Sequence, residues 1–377
     1  MDVIINAVVL AYVSLFAFGL GDNIRGPLFS EILSEFGLSD TVGSWIFALS
    51  SLFGFSSSFL SARLGRKLGH KLLLQISLGI LGLALGVFSS AQSLFQMLVA
   101  AALFGMSLGS LGYCQNALVV LGTSPIRRQQ WLSGLHAMYA LSSLLAPSLV
   151  AILASYGMNW RVSFLAAGSF PLLALGVSFF LPLGRLHGFP HTQGPHRPRR
   201  RLLQVMAGAC FAFYVVAEIM VSSRLGLFFR REMGESLEQA SLKVVVFFIL
   251  MFVGRGLFTV IRPPVSLAIS LGVSLFLSCC FLIVGLSGWP WFLVATGLTM
   301  APFYGLAMAY LSEIFQEDSS QAISTAMAMQ SILVVVMHLG VGCLSDYFSL
   351  RRALWVGPIS LLLGLIFLWR THESQKV

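Results

Sequence analysis

Charged and polar side chains interrupt an apolar stretch near the start of the chain, in the sequence GLGDNIRGPLF at residues 19–29. Asp22 and Arg25 are three residues apart, so they share a face of a helix and can pair with each other. A glycine and a proline follow them, and both weaken a helix enough to permit a discontinuity. Together with the neighbouring Asn23, this pattern predicts a hinge that lines a cavity and carries an acid able to exchange a proton. The alternative is a structural pair, with the long Arg25 side chain reaching out toward water.

A second acid, Glu218, lies deep in another apolar stretch, YVVAEIMVSSRLGLF at residues 214–228. A carboxylate in such surroundings needs either a proton or a nearby cation, because burial disfavours the charged form. Arg255, in the sequence VGRG of the next apolar run, is the candidate partner. Either state suits coupling to protons, with Glu218 protonated in one conformation and paired in another. The alternative for Arg255 is a cation that binds backbone carbonyl groups or pairs near an interface.

Two amide side chains, Gln115 and Asn116, follow three glycines that recur at intervals of three and four residues. Small residues at this spacing let two helices approach closely, so we interpret Gly105, Gly109 and Gly112 as a packing face. The two amides are candidates for hydrogen bonds to a solute hydroxyl. Hydrogen bonds between helices are the alternative for both of them.

Other polar side chains lie in later apolar runs and complete the set of candidate binding residues. His136 and Tyr139 are three residues apart and share a predicted helix face with Ser143. The imidazole of His136 titrates near neutral pH, and it either lines a site or bonds a neighbouring backbone group. Tyr304, in the sequence APFYG, and Gln330 are further candidates in the second half of the chain.

Nothing in the spacing of potential ligands indicates a metal, a cofactor or an enzymatic reaction. The five cysteines all lie in apolar runs and lack the spacing of a zinc site. A metal site built from Asp22, Cys210 and His338 has no support from their positions in the sequence. The chain has no metal-spaced His/Glu pair and no glycine loop of the phosphate-binding kind. We therefore expect no metal, no cofactor and no catalysis.

The composition places these residues in a membrane-spanning chain. Of the 377 residues, 57% are hydrophobic and 10% are charged, and the mean hydropathy is +0.88. A soluble domain carries about 25% charged residues. Apolar runs of roughly 20 residues, long enough to cross a hydrocarbon core of about 30 Å, recur along the chain. They predict twelve transmembrane helices, at 7–28, 42–62, 71–91, 93–121, 131–155, 161–183, 203–226, 239–260, 265–287, 290–312, 321–344 and 353–369.

The placement of lysine and arginine predicts the orientation, because cytoplasmic loops carry the excess of positive charge. With the N-terminus inside, the interior loops and the C-terminal tail carry fourteen basic residues and the exterior loops six. Both termini are therefore predicted to lie in the cytoplasm of a cell with a bacterial inner membrane. The net charge of +9 needs no nucleic-acid partner. The sequence RPRRR at residues 197–201 either anchors the topology or contacts anionic membrane lipids.

A long polar stretch, GRLHGFPHTQGPHRPRRR at residues 184–201, separates the first six apolar runs from the last six. We predict an N-terminal six-helix bundle over residues 1–183 and a C-terminal six-helix bundle over residues 203–377. A basic cytoplasmic linker over residues 184–202 joins them.

A weak internal repeat supports this division into halves. The sequence AILASYGMNWRVSF at 151–164 aligns with GCLSDYFSLRRALW at 342–355 and pairs Arg161 with Arg352. Duplicated halves are a recurrent plan of transporters, whose solute site lies near the midplane of the membrane.

The sequence SFLSARLGRK at residues 58–67, between the second and third predicted helices, resembles the signature of the major facilitator superfamily. The matching positions are Leu60, Arg63, Gly65, Arg66 and Lys67, and the departures are Ser58 and Ala62. The resemblance implies a gating role for Arg63, Gly65, Arg66 and Lys67. In the family an aspartate at the position of Ala62 helps to lock the cytoplasmic side, so that lock is weaker here or carried by other residues. The implied fold is all-α, with twelve transmembrane helices in two six-helix bundles related by pseudo-two-fold symmetry.

Four short stretches resemble the fucose permease type of sugar:proton symporter within that superfamily. They are GLGDNIRGPLF in the first helix, NALVVLG in the fourth, LSGLHAMYALSSLLAP in the fifth and YVVAEIMVSSRLGLF in the seventh. In those proteins an acid commonly lies four residues before the asparagine of the fourth helix. Here that position is Gly112, so a specificity for fucose does not carry over.

The sequence therefore predicts a secondary transporter that works by alternating access. The leading hypothesis is proton-coupled symport of a small polar solute, with a sugar as the first candidate. The alternative is an exporter of amphipathic drugs, lipids or organic anions, since Arg25 and Arg255 also admit an anionic solute. We expect a monomer whose partners are the solute, a proton and membrane lipids. A non-transporting receptor or a membrane enzyme has no positive support in the sequence.

Overall fold

The computed structural model of this chain describes residues 4–124, 127–183, 198–260 and 265–376. These residues form helices joined by short connections, and no strand occurs within the described ranges. Twelve helical spans in this part of the chain are long and apolar enough to cross a membrane, which confirms the predicted number. Hydrocarbon offers no hydrogen-bond partners, so these apolar runs adopt the helix, which satisfies its own backbone groups.

Nine of the twelve spans in the described residues are single helices. They are Asp40–Leu68, His70–Ser90, Leu94–Gly122, Arg128–Ser155, Trp160–Phe180, Pro198–Glu232, Leu237–Val260, Leu267–Leu286 and Ser319–Tyr347. The other three spans are each interrupted once. The first is Ile5–Asn23 with Arg25–Glu35, the tenth is Trp291–Met300 with Phe303–Phe315, and the twelfth is Leu350–Ala353 with Val356–Lys376. A 3₁₀ turn, Gln316–Asp318, precedes the eleventh span.

The predicted linker, residues 184–202, lies only partly within the described residues. Residues 184–197 are outside them, and the helix of the seventh span begins at Pro198. Proline suits the first turn of a helix, because the N–H group that it lacks has no partner there. The helix therefore starts inside the range that the sequence predicts as linker.

The interruption of the first span is smaller than the hinge predicted from the sequence. It consists of the single residue Ile24, which keeps right-handed helical dihedral angles (φ −75°, ψ −26°). The Ile24 N–H donates to the Leu20 carbonyl at 3.1 Å, and the Leu28 N–H donates to the Ile24 carbonyl at 3.4 Å. Pro27 removes only the one N–H group that would reach the Asn23 carbonyl. The helical path therefore continues through this segment.

The chain divides into two compact units. The first contains Met1–Leu38, Trp45–His191 and Ser236–Leu242, and the second contains Ser39–Ser44, Thr192–Glu235 and Lys243–Val377. The helix Asp40–Leu68 thus contributes its first turn to the second unit and the remainder to the first. Within the first unit the core includes a stacked pair of fully buried rings, Phe88 and Phe164, whose centroids are 5.1 Å apart.

Two glycines of the fourth span pack against the second span, as their spacing predicts. A Cβ atom on Gly105 would lie 2.4 Å from the Ser50 carbonyl oxygen, and one on Gly109 would lie 2.1 Å from the Gly54 carbonyl oxygen. Both distances are far below van der Waals contact, so only glycine allows the two helices to approach this closely. Gly112 faces open space instead, so it does not belong to this packing face.

Each unit carries an ion pair between the end of its first long helix and the start of its last span. In the first unit an Nη atom of Arg161 lies 2.6 Å from Glu35, and in the second unit the Nε atom of Arg351 lies 3.3 Å from Glu232. The sequence repeat aligns Arg161 with Arg352. In the structure the equivalent contact is made by the preceding residue, Arg351. The matching pairs agree with an internal duplication.

Candidate functional site

The first unit brings together three of its predicted site residues around Asp22. One carboxylate oxygen of Asp22 forms the predicted ion pair with Arg25, and the other accepts a hydrogen bond from the Tyr139 hydroxyl at 2.7 Å. Tyr139 reaches this position from the fifth span, while Asp22 and Arg25 lie on either side of the Ile24 interruption. Both oxygens of the acid therefore have a protein donor.

The Arg25 side chain is held on several sides. It is only 6% exposed, and it donates a hydrogen bond to the Ser50 hydroxyl at 2.9 Å. The guanidinium carbon lies 4.0 Å from the centre of the Phe104 ring and 5.4 Å from that of Phe47, which are cation–π distances. The Ser50 hydroxyl itself donates to the Ile46 carbonyl at 2.8 Å. Arg25 is thus enclosed by an acid, a hydroxyl and two aromatic faces.

Two further candidates of the first unit, Asn23 and Asn116, bond the backbone of their own helices. The Asn23 amide donates to the Gly19 carbonyl of its own helix at 2.8 Å, and the Asn116 amide donates to the Gly112 carbonyl at 2.8 Å. His136 lies on the exposed surface of the fifth span. The amide groups of Asn23 and Asn116 therefore donate hydrogen bonds to the backbone of their own helices.

Gln115 differs from its neighbour Asn116 in its surroundings. Its side chain is 1% exposed, and its amide nitrogen has no hydrogen-bond partner among the described residues. A buried amide donor without a partner costs free energy, so a residue of this kind is a candidate for binding a solute acceptor group. The sequence leaves this choice open, and the buried donor favours the solute-binding alternative for Gln115.

The second unit holds the other predicted ion pair. An Nη atom of Arg255 in the eighth span lies 3.2 Å from a carboxylate oxygen of Glu218 in the seventh span. The side chains are 34% and 18% exposed, so both remain partly accessible. The Nε atom of Arg255 is buried and has no hydrogen-bond partner among the described residues. This pair joins two different spans and leaves donor capacity unused.

A break in the tenth span lies beside this pair. Residues 301–302 separate Trp291–Met300 from Phe303–Phe315, because Pro302 lacks the N–H group that a continuous helix requires. The Tyr214 hydroxyl donates to the Met300 carbonyl at 2.7 Å, directly before the break. Its ring stacks on Phe303 with the centroids 3.9 Å apart. The seventh span therefore braces the tenth span at its interruption.

Two further candidates complete the second unit. Tyr304 follows the break, lies in the electrostatic field of Glu218 and Arg255, and packs edge-on against Phe211 with centroids 5.4 Å apart. The amide oxygen of Gln330, in the eleventh span, is buried and has no hydrogen-bond partner among the described residues. The structure thus pairs Glu218 with Arg255 and brings Tyr304 within electrostatic reach of both, and no hydrogen bond among the described residues connects Gln330 with them.

A polar cluster in the second unit was not predicted from the sequence. The Asp40 carboxylate pairs with both Nη atoms of Arg231, at 2.6 and 2.9 Å, and it also accepts a hydrogen bond from the Ser345 hydroxyl. The two oxygens of Asp346 each accept a backbone N–H group, one from Asp40 and one from Thr41, at 2.8 Å. Asp346 thereby caps the first turn of the helix Asp40–Leu68.

A signal for this cluster does exist in the sequence. The dipeptide Ser-Asp occurs at residues 39–40 and again at residues 345–346, and these two dipeptides meet in the structure. Arg224, which is 1% exposed, adds a hydrogen bond to the Ser44 hydroxyl at 2.8 Å. A fully buried arginine needs such partners, because a desolvated cation is costly.

The residues of the predicted gate lie at the end of the helix Asp40–Leu68. The side chains of Arg63, Arg66 and Lys67 are exposed, and none of them forms an ion pair with another described residue. Gly65 faces the Tyr113 ring, and a Cβ atom there would lie 2.7 Å from a ring carbon. Glycine at this position therefore admits the tyrosine between the second and fourth spans.

Comparisons with known proteins identify the family to which this architecture corresponds. The model of the Major Facilitator Superfamily matches residues 11–296. A comparison with curated proteins found no match.

Solved structures of several transporters share the fold. A bacterial homologue of the human lysosomal transporter Spinster has a TM-score of 0.78 at 13% identity, and the match covers 98% of this chain and 96% of that one. A D-xylose–proton symporter has a TM-score of 0.76 at 14% identity, with 98% of each chain covered. A proton-dependent oligopeptide transporter has a TM-score of 0.76 at 12% identity, with 99% and 98% covered.

The twelve spans and the family match indicate a multi-pass integral membrane protein of the transporter class. The family match covers most of the chain, so the chain belongs to the Major Facilitator Superfamily. This confirms the all-α fold and the family that the signature at residues 58–67 implies.

Proposed function

We propose that this transporter moves a small polar solute by proton-coupled symport, with Glu218 and Arg255 as the coupling pair. The observation that carries the proposal is their ion pair between two spans, beside the break in the tenth span. Protonation of Glu218 would cancel the attraction and release Arg255. The two spans would then be free to shift within the second unit, a local change that can alter the balance between two conformations of the transporter.

Each unit, taken by itself, holds polar groups that suit a solute with hydroxyl groups. In the second unit Tyr304 interacts electrostatically with the pair, and Gln330 has a buried amide oxygen with no hydrogen-bond partner among the described residues. In the first unit Gln115 has a buried amide nitrogen of the same kind. Such groups hydrogen-bond a sugar without adding charge. The similarity in fold to a D-xylose–proton symporter supports a sugar as the first solute to test.

We assign Asp22 and Arg25 a supporting position in this proposal. Their charges are satisfied by Tyr139, Ser50 and two phenylalanine rings, so the pair holds the first span in place rather than exchanging partners. Asn23, Asn116 and His136 remain proposed lining residues of the solute pathway. The positive-inside pattern supports cytoplasmic termini, and the bacterial inner membrane is part of the proposal.

Flux into proteoliposomes tests the proposal. The purified chain is reconstituted into vesicles that contain a pH-sensitive dye, and D-xylose, D-glucose and L-fucose are added in turn with and without an imposed proton gradient. Symport predicts that a transported sugar acidifies the lumen and accumulates only with the gradient. A variant with a matched acid removed elsewhere, Glu313→Gln, should behave like the wild type, because Glu313 is exposed and outside the pair.

Two results would overturn the proposal. Sugar entry without any proton movement would exclude coupling. If none of the three sugars is taken up and a lipophilic cation is extruded from loaded vesicles, the alternative, an exporter of amphipathic compounds, is established instead.

A further inference from the structure

The charges of this chain are distributed unevenly along the sequence. Between Asp40 and Glu218 there is no aspartate or glutamate, although this stretch contains twelve lysine and arginine residues. Four of these, Arg63, Arg66, Lys67 and Lys71, fall within nine residues. The positive charge of this segment therefore has no acidic side chain nearby in the sequence to balance it.

The structure does not supply a counter-charge for the four residues either. None of them forms an ion pair with another described residue. Arg63, Arg66 and Lys67 are exposed, and Lys71 is half-buried. A cluster of unpaired cations at the end of two membrane spans attracts anions strongly, because each cation near an anionic membrane surface contributes about 1 kcal/mol.

A cavity of about 720 Å³ opens at this cluster, between the start of the third span and the end of the sixth. Its polar lining includes His70, Lys71 and Gln75. The Lys71 ammonium group donates to the Leu181 carbonyl at 2.8 Å, and the Gln75 amide donates to the Ser178 hydroxyl at 2.9 Å. These two bonds hold the spans together at the cavity, and the ammonium group keeps two further N–H donors for a ligand.

The remaining lining of the cavity is apolar and accessible. Leu68, Leu72 and Phe179 line it and are 43%, 46% and 66% exposed. In a membrane-spanning chain such side chains face acyl chains at little cost, since lipid tails are as apolar as leucine. One cavity thus combines the ammonium group of Lys71, close in sequence to Arg66 and Lys67, with a surface suited to hydrocarbon.

From this combination we infer that the cavity binds the headgroup of an anionic phospholipid. The phosphate lies at Lys71 with Arg66 and Lys67 nearby, and the acyl chains cover Leu72 and Phe179. The predicted linker, residues 184–202, is not a suitable occupant, because it contains five arginines and no acid. Charge complementarity therefore favours a ligand that brings its own negative charge, and the apolar lining favours a lipid over a free ion.

Thermal unfolding of the purified full-length protein in neutral detergent tests this inference, with no transport readout involved. Phosphatidylglycerol, phosphatidylcholine and inorganic phosphate are titrated separately, and the lipid retained is counted by native mass spectrometry. We expect phosphatidylglycerol alone to raise the unfolding temperature, since a ligand that binds the folded state stabilises it by mass action.

Charge-removing variants locate the site. Arg66→Gln and Lys67→Gln leave the Lys71–Leu181 bond intact, and each should weaken the apparent affinity for phosphatidylglycerol about fivefold. Lys71→Gln should weaken it at least as much. Arg352→Gln, which removes an exposed cation from the short helix Leu350–Ala353 of the second unit, should leave the affinity unchanged.

Three outcomes would overturn the inference. Equal stabilisation by phosphatidylcholine would remove the role of charge, and equal stabilisation by inorganic phosphate would replace the lipid with a free ion. Unchanged affinity in both Arg66→Gln and Lys67→Gln would place the lipid elsewhere.

Discussion

Asp22 and Arg25 lie three residues apart on the first span, whereas Glu218 and Arg255 reach each other from the seventh and eighth spans. In the first pair both carboxylate oxygens have donors, and the arginine is 6% exposed between two phenylalanine rings. In the second pair the arginine is 34% exposed, and its Nε atom has no partner among the described residues.

This difference separates two uses of a buried charge. A pair whose arginine is buried and fully enclosed, and whose two members belong to one segment of chain, resists rearrangement, because any movement leaves the buried guanidinium group unpaired. A pair between two helices with unused donor capacity loses less when it opens. The closed pair of the first unit therefore suits a structural role, and the open pair of the second unit suits exchange of a proton.

The largest expected effect is the loss of Arg25. Arg25→Met leaves the Asp22 carboxylate without its cation and should lower the free energy of unfolding by about 3–5 kcal/mol. Titration with a denaturing detergent, followed by circular dichroism, measures this change. A loss below about 1 kcal/mol, the range of solvent-exposed ion pairs, would contradict a structural role for the Asp22–Arg25 pair.

Removal of the tyrosine hydroxyl from the first pair sharpens the comparison. Tyr139→Phe deletes the 2.7 Å hydrogen bond to Asp22 and keeps the aromatic ring. Because the acceptor is charged, we expect a loss of about 2 kcal/mol in the same titration. A variant as stable as the wild type would mean that water replaces the hydroxyl at Asp22.

The equivalent change in the second unit should cost less. Tyr214→Phe deletes the hydrogen bond to the Met300 carbonyl but retains the ring stacked on Phe303. The acceptor is neutral, so the expected loss is about 1 kcal/mol. Hydrogen exchange at the tenth span should also rise, because Tyr214 braces the break there. Unchanged exchange at residues 303–306 would contradict this bracing role.

The smallest expected effect on stability is the loss of Arg255. Arg255→Met removes a cation that is about one-third exposed, so solvent screens much of the interaction, and the expected loss is about 1 kcal/mol or less. The free energy of unfolding of Arg255→Met is compared with that of Arg25→Met under identical conditions. Equal losses in the two variants would contradict the proposed difference between the two ion pairs.

The sequence predicts both ion pairs because the chemistry leaves few choices. An acid inside an apolar run requires a cation, and an arginine of the same or the next apolar run is the candidate, Arg25 for Asp22 and Arg255 for Glu218. The twelve spans follow from length and hydropathy alone. Local rules of this kind need no knowledge of the tertiary structure.

Contacts between distant residues lie beyond such rules. Asp346 caps the helix that begins at Asp40, although 306 residues separate them, and no helical spacing indicates this contact. The break in the first span was overestimated, because Pro27 removes a single N–H group and the helix continues past Ile24. Pro302 interrupts the tenth span in a similar way, since Ala301 and Pro302 keep right-handed helical dihedral angles, and the Tyr214 hydroxyl donates to the nearby Met300 carbonyl.

The most direct test of the central claim compares Glu218→Gln with Asp22→Asn in proteoliposomes. Each variant is assayed for exchange of labelled D-xylose at equilibrium and for uptake driven by a proton gradient. We predict that Glu218→Gln keeps exchange but loses gradient-driven uptake, whereas Asp22→Asn reduces both through loss of folded protein. Gradient-driven uptake by Glu218→Gln at the wild-type level would contradict the assignment of Glu218 as the coupling acid.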